Sequence, residues 1–381
     1  MIDTIILRIP ERDFSILRHN LFAPNASGLF FPPYLPFADQ PFIKCVQNPT
    51  KYDQEHKLYK PRLTLYKAIK KSGFDLSLHI ELSLPKLLFG NNFDELTTKD
   101  IPKIIEVLHK ALFSMGVDIK KSALWNSQVY TVHFGKNIAF TDGITVSLLL
   151  DRIYKARAHG RFDLNTVDYR NGGELLRYHT KAFSIVMYDK IAELRYSKAR
   201  SVEKKDRAFN PQPTLFDSLR KEIPLEVFRL EIRICDRRKL AKLANLPLQM
   251  LTFENIVNQQ LAQEVLLKHW LEIYEALKVV MLQEMDILDQ LEYLGMKHPT
   301  IRPQKLLALI ALGHIIKVYG YRSLQKRGKY QISIKALQRL YANLKLLTYT
   351  IESRTFPFKT ITEQIQNYSP LTFAQFELQN P

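Results

Sequence analysis

A chain of 381 residues has room for two domains and a sizeable core. Its 55 lysines and arginines against 38 acids give a net charge of +17 and a pI near 9.6, which makes a polyanion the first expected partner. The best apolar run, Leu306 to Val318, is shorter than a bilayer requires and contains His314, so nucleic acid is expected rather than lipid, with no membrane partner.

Ile2 to Ile9 alternates weakly and stops at Pro10, which suits a first strand. The same segment carries an early acid and lacks the basic region, long apolar core and cleavage site of a signal peptide. Leu21 to Asn48, with F-F-P-P-Y-L-P-F inside it, reads as an ordered loop packed on a surface; proline-rich recognition sequence around Pro33 and Pro36 is the rival reading. Arg62 to Lys67 and Asp75 to Leu84 form a hairpin around Lys70-Lys71-Ser72-Gly73. In the second of these strands Leu76, Leu78, Ile80 and Leu82 share one face, and Ser77, His79, Glu81 and Ser83 share the other. His79 and Glu81 therefore point the same way: a candidate metal pair, or two solvated residues on a half-exposed sheet. A helix follows from Thr98 to Met115, capped by Thr98 or Asp100 and ended by Gly116. Gln128 to Phe134 is a third alternating strand with Val129, Thr131 and His133 on one side, and the next helix covers 142–157.

The most informative stretch is Gly173 to Arg195. Its centre, Ser184 to Tyr188, reads as a buried strand that ends on Tyr188-Asp189-Lys190. A phenol at a strand end, with Lys190 two residues on and Arg177, Lys181 and Arg195 around it, is what cutting a phosphodiester through a covalent phosphotyrosine requires. The phenol must lose its proton, against an ordinary pKa of about 10, and a nearby ammonium assists. A core tyrosine whose hydroxyl reaches water gives the same pattern. Lys198 to Pro213 reads as an exposed basic loop. In Val227 to Ile234, Phe228, Leu230, Ile232 and Ile234 face a core, which leaves Arg229, Glu231 and Arg233 together on the other face. That row is an exposed salt-bridge ladder or a place for a metal beside phosphates.

Beyond residue 244 the texture turns helical: Phe253 to Gln290, Pro303 to Tyr319 and Tyr330 to Leu347, with a basic connection over 320–329 that contains Arg322, Lys326 and Arg327. Two helices around a basic turn suit a helix-turn-helix reader as well as any bundle on a basic protein. The expected architecture is α+β, an antiparallel sheet with helices on one face over residues 1–244, then a mainly helical domain over 245–381 that is a candidate DNA-binding part. Cys45 and Cys235 offer neither a zinc spacing nor a disulfide framework, so a reducing cytoplasm is expected. The sequence contains no internal repeat, Walker loop or dinucleotide fingerprint.

Four blocks, M-I-D-T-I-I-L-R-I-P at the start, L-S-L-P-K-L-L-F-G-N-N at Leu82 to Asn92, V-M-Y-D-K-I-A-E-L at Val186 to Leu194 and F-R-L-E-I-R-I at Phe228 to Ile234, lie in an order and spacing that resembles the replication initiators of filamentous phages, the gene II protein type, including prophage relatives. The resemblance covers residues 1 to 245. It implies a rolling-circle initiator acting in the cytoplasm of a bacterial host. Such an enzyme nicks one strand of a double-stranded origin, stays attached to the 5′ end, rejoins the displaced single strand, and works with the host helicase and polymerase. It also implies a Rep-like fold, Tyr188 as the nucleophile with Lys190 beside it, and Mg2+ or Mn2+ held by Glu231. His133 stands where an aspartate is expected, and the compact His-hydrophobic-His motif of many such nickases is absent. Tyr178, beside His179 and Lys181, is the reserve nucleophile. His133, His79 and Glu81 complete the candidate metal ligands; Arg177, Lys181, Arg229, Arg233, Arg322, Lys326 and Arg327 are the candidate DNA contacts. The rival from another class is a non-catalytic, sequence-specific DNA-binding regulator, and a weaker third reading is an RNA-binding or transposition-related nuclease.

Overall fold

A computed structural model describes the chain apart from residues 31–41, 51, 54, 55, 57, 71, 72, 142–144, 163, 165, 171, 172, 195–224, 283–286, 288, 289, 292, 293, 296, 297, 320, 322, 323, 326–332, 349–357 and 378–381. The basic loop at 198–213, residues 71 and 72 of the hairpin turn, Arg195, and Arg322, Lys326 and Arg327 lie outside the described residues. Along the chain the strands are β1 (Ile2–Pro10), β2 (Phe14–Ile16), β3 (Phe42–Gln47), β4 (Arg62–Lys70), β5 (Gly73–Ser83), β6 (Val117–Ile119), β7 (Gln128–Phe140), β8 (Thr166–Arg170), β9 (Leu175–His179), β10 (Phe183–Asp189) and β11 (Glu226–Ile234). The longer helices are α1 (Ile101–Ser114), α2 (Val146–Lys155), α3 (Arg237–Ala244), α4 (Gln259–Leu282), α5 (Pro303–Tyr319), α6 (Ile334–Thr348) and α7 (Phe358–Asn367).

The chain divides into two compact units, each discontinuous in sequence: 1–143 with 181–266 and 368–381, and 144–180 with 267–367. The change of texture at residue 244 falls inside the first unit. That unit is α+β, built on a large antiparallel sheet that runs β3-β4-β5-β1-β7-β11-β10, while β2 and β6 pair separately. One face of the sheet is apolar: Ile5, Leu7, Leu78, Ile80, Val132, Phe134, Leu230 and Ile232 are all fully buried. Each comes from a strand whose alternate residues are apolar, so the period of two sorts them onto one side. Helix α1 buries Ile104, Ile105, Leu108 and Leu112, at the three- and four-residue spacing of an amphipathic helix. Its entry is a capping box between Thr97 and Asp100, one residue before the expected cap. At its exit Gly116 takes φ +77°, where a Cβ would meet Arg18 at 2.7 Å.

Strand β7 departs from simple alternation. Its pairing with β1 shifts between Ile6–Thr131 and Leu7–Val129, so Val129 and Val132 are both buried in the core while Tyr130 and Thr131 are half-buried. The expectation that Val129 shares a side with Thr131 and His133 is corrected by this bulge, which inserts an extra residue and resets the faces. The strand also continues six residues past Phe134, and β3 occupies part of the stretch read as loop.

In the second unit β8 and β9 form a hairpin, and α2 meets β9 where Tyr178 Oη donates to the Ile153 carbonyl at 3.2 Å. Leu306, Leu309 and Ile310 of α5 pack with Leu344 of α6. Trp270 of α4 donates its indole N–H to Thr362 Oγ1 of α7 at 2.8 Å. No helix among the described residues is long and apolar enough to cross a membrane.

Candidate functional site

The second face of the first unit's sheet is polar, and its β7-β11-β10 end carries the sequence's principal candidates. In β11 the pairing sets Arg233 opposite His133, Glu231 opposite Gly135 and Arg229 opposite Asn137 on one side, and Arg229 opposite Tyr188 on the other. Directly paired residues share a face, so these six side chains and Gly135 converge. The Arg-Glu-Arg row is not the exposed ladder expected: Arg229 and Glu231 are 3% and 2% exposed, and only Arg233 reaches the rim, with its side chain 32% exposed.

Glu231 is the hub. Its Oε1 accepts the Tyr188 hydroxyl at 2.7 Å and Arg229 Nε at 2.7 Å; its Oε2 accepts Arg233 Nε at 2.8 Å and Nη2 at 2.6 Å. Arg229 also gives Nη1 to Asn137 Oδ1 at 2.9 Å and Nη2 to Asp3 Oδ2 at 2.8 Å. Asp3 in turn accepts Ser83 Oγ at 2.9 Å on its other oxygen. Gly135 makes room for this: a Cβ there would sit 2.8 Å from Arg229 Nη2. Asp3, Ser83 and Asn137 were not singled out from the sequence, although a glycine interrupting a strand is the signal of a close approach.

Electrostatics follow from this wiring. Burial alone would raise the Glu231 carboxyl, but Arg233 and Arg229 outweigh it and hold the group well below the usual carboxylate range. Burial, reinforced by the Glu231 charge, pushes the Tyr188 phenol well above its ordinary value. The shared proton therefore rests on the phenol. Burial lowers His133, partly offset by Glu231, so its imidazole is neutral at pH 7. Lys190 is fully buried, ion-paired to Glu193 at 3.0 Å, and 5.8 Å from the centroid of the Tyr188 ring; burial lowers its ammonium.

The other candidates lie elsewhere. By strand register Glu81 stands three strands across and four residues along from Glu231, roughly 14 Å and 13 Å in the two directions, too far to share an ion. His79 is farther still, set between Tyr66 and Tyr130 at 4.7 and 5.3 Å between ring centroids, and burial with the Arg8 charge lowers it to about 4. Glu81 faces Arg62 at 3.8 Å. Tyr178 is a core residue of the second unit, its phenol raised by burial. Arg177 lies on β9 opposite Asp168, and Lys181 is exposed in the first unit. A cavity of about 910 Å3 opens elsewhere on the first unit, lined by Trp125, Glu254, Asn258 and Gln263 among others, and contains none of the candidates.

The Mg2+ or Mn2+ that the resemblance implies does not fit Glu231 as it stands. A carboxylate has about four lone-pair directions, and four donors, three of them guanidinium N–H groups, fill them here. A cation would have to displace one of these donors. Among the described residues no group of three or more His, Cys, Asp or Glu is arranged to hold a metal.

Compared with known proteins, the chain matches no family model, no curated protein and no solved structure.

Proposed function

We propose that the chain is a replication initiator of the filamentous-phage type, with the Rep-like sheet which that implies. It nicks one strand of a double-stranded DNA origin through a phosphotyrosine on Tyr188 and later rejoins the displaced strand. The observation that carries this reading is the Tyr188 hydroxyl held 2.7 Å from Glu231, on a carboxylate shared with two guanidiniums, at the strand end that the resemblance marks.

The chain's own groups supply the steps. In the resting arrangement Glu231 is too weak a base to take the phenol proton, because both arginines stabilise its charge. Arg233 is the exposed member, so a backbone phosphate arriving from solvent draws its planar fork away from Oε2 into a bidentate contact. That transfer does two things at once. It places a cation on the phosphate, where charge develops in the transition state, and it restores basicity to Glu231. Tyr188 Oη then attacks phosphorus; the Oη–P bond forms as the P–O3′ bond breaks, the phenol proton passes to Glu231, and the departing 3′ oxygen takes a proton from water to become a free hydroxyl. The ester is conserved in the 5′-phosphotyrosine, so attack by a 3′ hydroxyl reverses the chemistry without an added energy source.

The test uses a supercoiled plasmid carrying the cognate origin. Nicked circles with protein bonded to the 5′ end are expected, and Tyr188→Phe abolishes both while DNA binding survives. The burial of Tyr188, 6% exposed, favours a second reading: a sequence-specific DNA-binding regulator in which the same network is purely structural. Binding without any covalent product, in wild type and variant alike, selects that reading.

A further inference from the structure

On the half of the polar sheet face away from Tyr188, three rings in succession, flanked by cations, run across five strands of the first unit. Lys44 Nζ of β3 lies 5.7 Å from the centroid of the Tyr66 ring on β4. Tyr66 meets His79 of β5, and His79 meets Tyr130 of β7, the planes tilted by 59° and 56°. Tyr130 carries two guanidiniums, Arg8 of β1 at 5.7 Å and Arg237 of α3 at 5.0 Å. Lys44 is exposed, and the other five side chains are half-buried, so each presents part of its surface to solvent. From β3 to β7 it crosses four strand spacings, roughly 19 Å.

We propose that this row is a binding platform for single-stranded nucleic acid. Two features of the row match that ligand and no simpler one. An unpaired base offers a π face to a ring, and the phosphates between bases find Lys44 beside Tyr66 and Arg237 beside Tyr130, while Arg8 pairs with Asp75 at 2.9 Å and donates to Tyr130 Oη at 3.0 Å. A duplex keeps its bases stacked inside and can use only the cations; an acidic peptide has the charge without the rings. The neutral imidazole of His79 is consistent with this, since at pH 7 it serves as a third ring and not as a further charge. Arg237 is held in place by its Nη2, which donates to Gln128 Oε1 and to the Leu248 carbonyl. This site needs no cutting at Tyr188 and belongs to a different end of the sheet.

The experiment is fluorescence anisotropy of the full chain with a labelled oligo-dT, the matching duplex, and poly-glutamate as competitor. The single strand should bind more tightly than the duplex and resist displacement by poly-glutamate. Tyr66→Ala should weaken it by about 5- to 150-fold, the range for loss of one stacked base, while Tyr66→Phe, which keeps the ring, should leave it unchanged. Lys44→Gln, at an exposed end where the fold cannot suffer, should lower the slope of log affinity against log salt by about 0.7, one phosphate contact. Equal or tighter duplex binding, equal competition by poly-glutamate, or silence of both Tyr66→Ala and Lys44→Gln overturns the proposal. Because the readout is equilibrium affinity for a sequence without an origin, it succeeds or fails separately from nicking.

Discussion

Four donors converge on one buried carboxylate, and the behaviour of Tyr188 follows from that count. Tyr188→Phe removes one donor of four and leaves the ring packed; the loss is a hydrogen bond to a charged acceptor, about 1.5–3 kcal/mol in urea unfolding. Glu231→Gln is the harsher change, since it removes the charge shared by the Arg229 and Arg233 guanidiniums and leaves Asp3 as the remaining carboxylate on the buried Arg229; about 3–5 kcal/mol is expected. The pH dependence has a defined sign. Glu231 titrates lower in the fold than in the unfolded chain, so its contribution is fully present above the unfolded value, near 4.3, and is lost as pH falls through the folded one. The stability difference between wild type and Glu231→Gln should therefore be flat near neutral pH and shrink in acid. Tyr188 runs the other way: its folded value is raised, so its contribution holds below about pH 10 and is lost at higher pH, a limb that Tyr188→Phe should remove. Because both Glu231 oxygens are occupied by donors, calorimetric titration of the DNA-free protein with Mn2+ should show no binding that depends on Glu231; saturable binding that Glu231→Gln abolishes contradicts the four-donor picture.

At the scale of elements, the segment after α7 is a strap on the first unit. Leu371 N–H donates to Glu95 Oε2 at 2.9 Å and Phe373 N–H to Asp94 Oδ1 at 2.6 Å, and both side chains pack on Phe93, Ile191, Leu194, Leu225 and Val227. Glu95 also binds Lys136 and the Asn137 N–H, so the strap adjoins the strand that carries the site. Deleting residues 368–381 should cost at least about 2 kcal/mol of apolar burial and speed hydrogen exchange at β7 and β11 amides; unchanged protection there contradicts a bracing role. The sequence exposes the strands well where apolar residues alternate, as in β5 and β11, because a period of two is visible without partners. It exposes β3 and the strap poorly: the prolines before Phe42 read as punctuation, and a short terminal segment has no period to detect. The site was half legible. Tyr188, Glu231, Arg229 and Arg233 sit in two compact motifs, whereas Asp3 and Asn137 gain meaning only when β1 and β7 are laid beside β11. The bulge in β7, which moves Val129 away from His133, leaves no local mark in the sequence.

For the whole molecule, the charge of +17 predicts binding to nucleic acid that weakens steeply with salt, in proportion to the phosphates neutralised. That term draws the polymer in but selects neither a strand nor a bond. Under the two proposals, selection falls to two ends of one sheet face: a row of rings and cations for an unpaired strand, and a buried network in which Arg233, at its rim, covers a carboxylate and a phenol until a phosphate claims it. The most direct test is to incubate the protein with labelled supercoiled origin DNA and Mg2+, digest both polymers, and sequence the peptide that remains bonded to the label. The account predicts the peptide spanning Tyr188, joined through its phenolic oxygen to a 5′ phosphate; a label on any other residue, or DNA that is bound and never covalently attached, contradicts it.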